Sequence, residues 1–146
     1  MKRKIDITRF KLEKDLSIPV ERFFRDRAFG FQKNEVAFYE HRMDLYGYSQ
    51  DHDLTFAVEL KLRNWSRAIK QALLYQLCSD LTYVAVPLST IKLVDLNLFQ
   101  SYGLGLIAVE STGCNEVIPA VRSEVMRRHY REVYVSILLE ENGNGF

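Results

Sequence analysis

The sequence has little of what advertises a compartment or a common cofactor. It carries two cysteines, Cys78 and Cys114, far apart and not at metal-pair spacing. Both are therefore expected to be free thiols in a reducing cytoplasm. His41, His52 and His129 are equally scattered, which excludes a histidine zinc site. Seven glycines make no dinucleotide fingerprint, because Gly103-Leu104-Gly105 sits in an apolar run and lacks the third glycine. No apolar stretch approaches the ~20 residues of a membrane span. Met1-Lys2-Arg3-Lys4-Ile5-Asp6 has no hydrophobic segment behind it, so no secretory signal and no membrane partner are expected, and the location is expected to be cytoplasmic. Charge of one sign is missing too. Twenty Lys and Arg against nineteen Asp and Glu leave a net charge of +1, so no global field points to nucleic acid and only local placement of charge can. There is no repeat, linker or low-complexity block.

What remains is ordinary for a folded domain: 47% hydrophobic and 27% charged residues, one domain over 1–146 with a core of its own. Residues 1–16 are read as a charged N-terminal arm whose apolar candidates are Ile5, Ile7, Phe10 and Leu12. Ser17-Ile18-Pro19 predicts a helix start with Ser17 as cap, Val20, Phe23, Phe24 and Ala28 as its stripe, and Gly30 as its stop. Strands are predicted over 35–41, 42–48 and 56–62. In the second, Met43 and Leu45 point one way and Arg42, Asp44 and Tyr46 the other. The polar turn Ser49-Gln50-Asp51-His52-Asp53 follows it. Leu81–Pro87 is nearly continuous in apolar residues, as a strand covered on both faces should be. A helix over 90–102, a buried strand over 103–109 and a closing helix over 118–140 complete the chain. Val121, Val125, Val133 and Ile137 supply the closing helix's apolar side, and Arg122, Arg127, Arg128 and Arg131 its polar surface. The order implies an α/β fold with a mixed central sheet flanked by helices.

The chemistry concentrates in Phe56–Tyr75. Phe56, Val58, Leu60 and Leu62 alternate with Ala57, Glu59 and Lys61, so a carboxylate and an ammonium stand two residues apart on one strand face. After Asn64, a plausible N-cap, the period becomes helical. Trp65, Ala68, Ile69, Ala72 and Leu73 form the apolar stripe, with Trp65 a core anchor. Arg67, Gln71 and Tyr75 form a polar one. Asp44 on the preceding strand and Glu59 are two carboxylates able to hold a hard divalent cation such as Mg²⁺. Lys61 beside them can orient a water or balance developing charge. No acid occurs from Leu62 to Ser79, and Arg63, Arg67 and Lys70 lie beside this set, where they can meet backbone phosphates.

Asp44, then Glu59-Leu60-Lys61, then a helix with Gln71-Ala-Leu-Leu-Tyr75, resembles the PD-(D/E)xK nuclease superfamily, and in particular its small bacterial members. The resemblance covers about Glu21 to Val109. It implies a restriction-endonuclease-like αβββαβ core and Mg²⁺- or Mn²⁺-dependent hydrolysis of DNA phosphodiesters. Carried over to this chain, Asp44, Glu59 and the Leu60 carbonyl match the metal ligands, and Lys61 matches the catalytic lysine. Gln71 matches the helical glutamine that supports the site or touches a phosphate, Tyr75 its companion one turn on, both orienting the substrate, and Glu21 an accessory acid of the first helix. The departure is Met43, which stands where the family name has proline. The implied partner is DNA. A homodimer would widen the binding surface, and a protein partner would have to supply sequence specificity, since the chain has no obvious recognition element.

Two rival readings stand beside this one. A catalytically inactive nuclease-fold protein would serve as a nucleic-acid-binding or scaffolding subunit. A protein-interaction domain would leave Glu59 and Lys61 as a solvated strand face, with an ion pair worth only ~0.2–1 kcal/mol. His41, opposite Asp44 by alternation, is read as structural.

Overall fold

A computed structural model describes residues 10–143. After a 3₁₀ turn, Glu13–Leu16, come α1 (Ser17–Arg25), β1 (Phe31–Phe38), β2 (His41–Ser49), β3 (Leu54–Leu60) and α2 (Trp65–Tyr75). β4 (Leu81–Pro87), α3 (Leu88–Ile91), α4 (Leu96–Tyr102), β5 (Gly105–Glu110), β6 (Gly113–Ile118) and α5 (Arg128–Gly143) complete the fold. The six strands form one mixed sheet in the order β1-β2-β3-β4-β5-β6. β1, β2 and β3 are an antiparallel meander, β3, β4 and β5 run parallel, and β6 returns antiparallel. This is the α/β architecture with a mixed, helix-flanked sheet that the element order implied.

The sheet separates two apolar layers. Leu16, Val20 and Phe24 from the first helical segment pack on Leu45, Phe56, Val58, Leu60, Tyr83 and Ile107, with the Phe24 and Phe56 rings stacked at 3.7 Å. On the other face α2 and α4 cover Val84, Val86 and Leu106, while Tyr75, Cys78 and Leu138 cover Met43, Tyr46 and Ala57. β4 alternates between the layers, Tyr83 and Ala85 on one side and Val84 and Val86 on the other, which is why its sequence is apolar throughout. Trp65 packs on the second of these clusters, its ring 6.5 Å from Phe99.

Local expectations fail where long-range contacts intervene. Ser17 is not a cap. The 3₁₀ turn runs directly into α1, so Ser17 lies inside helical backbone and its Oγ donates to Glu21 Oε2 at 2.6 Å. The helix ends at Arg25, and Ala28 rather than Gly30 takes the left-handed conformation (φ 74°). Met43 and Leu45 do not share a face. Met43 joins Val36 and Tyr46 on the α2 side, and Leu45 joins Phe56 on the α1 side. Glu35, opposite Asp44, has φ 52°, and the β1–β2 register steps from Asn34↔Leu45 to Val36↔Met43 across this pair. Both strands thus turn over together, which strict alternation cannot anticipate. The helix over 90–102 is two helices, α3 and α4, the second opened by Asp95 Oδ1 accepting from the Asn97 and Leu98 N–H groups and closed by Gly103 at φ 69°, a conformation that favours glycine. β6 lies where the local pattern signals no strand. Within the arm, Ile5 and Ile7 lie outside the described residues, while Leu16 is fully buried.

The closing helix begins only at Arg128, and Val121, Val125 and Val133 are exposed. Arg131 is not on a polar surface. Its Nε donates to Asp80 Oδ2 and an Nη to Asp53 Oδ1, both at 2.9 Å, and Asp80 is fully buried, also accepting from Thr55 N–H and Oγ1. Arg131→Ala strands part of a buried carboxylate. A fully buried pair broken this way costs ~3–5 kcal/mol, but Arg122 Nε stays 3.5 Å from Asp80 Oδ1, so about 2 kcal/mol of destabilisation is expected in urea unfolding. A change below about 0.5 kcal/mol would show that α5 is held without this network.

Candidate active site

β2 and β3 pair only as far as Leu45↔Val58. Beyond it the next residues, Asp44 and Glu59, are not joined by the ladder, and a side chain replaces the missing backbone bond: Asp44 Oδ2 accepts the Leu60 N–H at 2.7 Å. Leu60 turns its own side chain into the α1-side core. Glu59, on the opposite parity, points toward α2, where Tyr75 Oη lies 3.0 Å from its Oε1. Lys61, just past the strand end and held by its N–H to Ala85 O at 3.0 Å, places Nζ 3.8 Å from Glu59 Oε2. Asp44, Glu59 and Lys61 thus meet at the C-terminal end of β3, with Tyr75 closing the group from the helix.

Glu59 is 4% exposed, which overturns the solvated-face reading of this strand. Burial pushes its carboxyl up to about 8, and the neighbouring Asp44 carboxylate adds to the rise. The Tyr75 hydrogen bond and the Lys61 ammonium oppose it. Asp44 is raised as well, by burial first, against the pull of the Leu60 N–H and Lys61. Tyr75 is held far above the ordinary phenol range by burial and then by Glu59. Its one hydroxyl hydrogen has two acceptors in reach, Glu59 Oε1 and Arg42 O, each at 3.0 Å. The Tyr75 hydroxyl thus stands between the Glu59 carboxyl and the Arg42 carbonyl as a donor to either.

The other expected residues divide. Gln71 lies one helical turn before Tyr75, and among the described residues its buried Oε1 has no hydrogen-bond partner. Arg63, Arg67 and Lys70 are exposed and, among the described residues, form no ion pair. Asn64 caps α2 as expected, its Oδ1 accepting the Arg67 N–H at 3.3 Å. Glu21, the expected accessory acid, sits on α1. It bonds Ser17 on its own helix, whereas Glu13 from the 3₁₀ turn brings Oε1 to 4.0 Å from Lys61 Nζ and raises both Asp44 and Glu59 electrostatically. No sequence signal marked Glu13, since only the backward extension of the helix brings it there. His41 is exposed at the start of β2 rather than structural.

The donor chemistry suits a hard cation. Two crowded carboxyls, one raised to about 8, repel each other when ionised, and a divalent ion removes that repulsion. Among the described residues, no three His, Cys, Asp or Glu side chains form a metal-holding group, so any ion here relies on the two acids, backbone oxygen and water.

No helix among the described residues is long and apolar enough to cross a membrane. No family model and no curated protein matches the chain. Among solved structures it is similar to the SPO1766 protein of unknown function from Silicibacter pomeroyi, with a TM-score of 0.71 at 17% identity over 91% of this chain and 88% of that one. At that identity the likeness concerns the fold alone.

Proposed function

We propose that this protein is a Mg²⁺-dependent nuclease of restriction-endonuclease-like fold that hydrolyses phosphodiester bonds in DNA. The observation that carries the reading is the meeting of Asp44, Glu59 and Lys61 at one sheet end, although they come from two strands and Asp44 sits where strand alternation breaks. The run α1-β1-β2-β3-α2-β4, an antiparallel meander followed through a helix by a parallel strand, supports an αβββαβ core. Asp44, Glu59 and the Leu60 carbonyl would hold Mg²⁺ or Mn²⁺, which when bound polarises the phosphoryl oxygen and lowers the pKa of a water. Lys61 positions the attacking water and balances charge on the phosphoryl group. Gln71 and Tyr75 orient the substrate, and Arg63, Arg67 and Lys70 hold flanking phosphates.

Two measurements test this together. Mg²⁺ or Mn²⁺ at about 100 times its Kd should stabilise the wild type by ~2.7 kcal/mol and leave Asp44→Asn unmoved. Cleavage of a panel of single-stranded, duplex, flapped and branched DNA, with RNA alongside, should require the ion and stop with chelator. If neither ion shifts the melting temperature and no nucleic acid is cut, the reading fails. A second reading, a non-catalytic nucleic-acid-binding or scaffolding subunit, draws on the buried Glu59 closed against Tyr75, a polar contact made without any ion. It predicts binding to the same panel with no cleavage.

A further inference from the structure

Beside the site lies a cleft of about 790 Å³ between the segment before the 3₁₀ turn, the β3–α2 loop and the β4–α3 junction. Its proximity to the chemistry is covalent. Leu62 and Arg63 directly follow Lys61, and Glu13, whose carboxylate faces Lys61 at 4.0 Å, stands on the shared rim. Asn64, Ser89 and Thr90 line part of the wall with neutral polar groups, and the rest is of two kinds. Phe10, Leu62 and Pro87 supply an aromatic ring and two apolar surfaces, while Lys11 and Arg63, both exposed, supply cations at the mouth. Among the described residues neither cation forms an ion pair, and Glu13, the one acid among those lining the cleft, already faces Lys61.

An apolar floor with a ring, under a cationic rim, matches a nucleotide: a flat base below and a phosphate above. The size fits a small-molecule pocket, far too narrow for a whole duplex. In a duplex the bases are paired and stacked, and presenting one to this floor means extruding it at a cost of a few kcal/mol. A single strand or a frayed end presents it freely. Resting on the nuclease reading above, we propose that the cleft seats the unpaired nucleotide adjoining the scissile phosphate. The substrate it selects is single-stranded or end-frayed DNA rather than continuous duplex.

The test is equilibrium binding in chelator, so that cleavage is not the readout. A fluorescently labelled single-stranded oligonucleotide and a blunt duplex of the same length are titrated by anisotropy, with a single-stranded RNA to report on the sugar. The wild type should bind the single-stranded DNA roughly tenfold tighter than the duplex. Two variants address the cleft without touching the acids or Lys61. Lys11→Glu reverses a rim cation outside the phosphate-holding set, and Ser89→Trp fills the cleft from an exposed lining position. Each should weaken single-strand binding roughly tenfold and duplex binding less than about twofold, with an unchanged melting temperature confirming the fold. Equal affinity for both forms, or single-strand binding untouched by Ser89→Trp, overturns the proposal. The two readings also fail separately. Cleft variants that lose single-strand binding in a protein that cuts nothing sink the nuclease reading alone, and a wild type that cuts duplex while the cleft variants bind normally sinks the cleft assignment alone.

Discussion

Lys61→Ala is expected to lower metal-dependent cleavage by about 10³-fold, the scale on which removing one electrostatic stabiliser acts, while leaving the melting temperature within roughly 2 °C. The separation follows from position. Lys61 anchors through its backbone N–H to Ala85 O, which alanine keeps. Its ammonium touches Glu59 and Glu13 only at 3.8 and 4.0 Å, and Glu59 takes up a proton readily, so no buried charge is stranded. Asp44 needs the gentler substitution. Asp44→Ala orphans the Leu60 N–H at a cost of about 1–3 kcal/mol, whereas the amide oxygen of Asp44→Asn still accepts that bond. Asp44→Asn should therefore lose cleavage to the same extent with near-native stability. Single-turnover rates with circular dichroism on the same preparations decide this, and either variant cutting within tenfold of wild type removes the assigned roles.

The ion-free protein should become less stable as pH rises from about 5 to about 8, opposite to the usual behaviour of a protein held by carboxylate ion pairs. Glu59 is raised from 4.5 to about 8 on folding, and Asp44 is raised too. Between the unfolded and folded values the native state binds more protons than the unfolded one, so stability is fully present below about 4.5 and is lost as pH climbs through 8. Glu59→Gln removes the titrating group and keeps the polar contact to Tyr75. At pH 8 it should melt higher than wild type, by roughly 3–8 °C for a loss on the order of 1–2 kcal/mol, and at pH 5 the two should coincide. Saturating Mg²⁺ should flatten the wild-type profile, because the ion favours the ionised acids. A wild-type melting temperature that rises from pH 5 to pH 8 without metal would show that the carboxyl pair is not buried and crowded as described. A gain in stability on losing a charged group is the usual mark of a site arranged for chemistry rather than for folding.

Much of this was legible in the chain. Leu81–Pro87 reads as a doubly covered strand because every residue faces a layer. Asn64 and the stripe from Trp65 to Leu73 read as a capped helix because a local hydrogen bond and a local period specify them. Glu59 and Lys61 fall on one side of β3 because strand period is a property of neighbouring residues. Where contacts between distant segments chose the outcome, local pattern misled. Met43 and Leu45 part because β1 and β2 turn over together at Glu35 and Asp44. Arg131 leaves the surface because Asp80, fifty-one positions away, is buried and needs a cation. Glu13 reaches Lys61 because the helical segment extends backward past Ser17. β6 exists because Gly113–Ile118 finds an edge to pair with, not because its own residues demand a strand.

The amino-acid order alone determined the layered α/β class, the central strand–helix unit and the residue types able to do the chemistry, since each is encoded in periodicity over a few residues. Only the tertiary structure decided that the ladder between β2 and β3 stops one pair short of Asp44 and Glu59. That gap turns a ladder position into a carboxylate pair beside Lys61, because the Leu60 N–H freed there takes the Asp44 side chain instead of a backbone carbonyl.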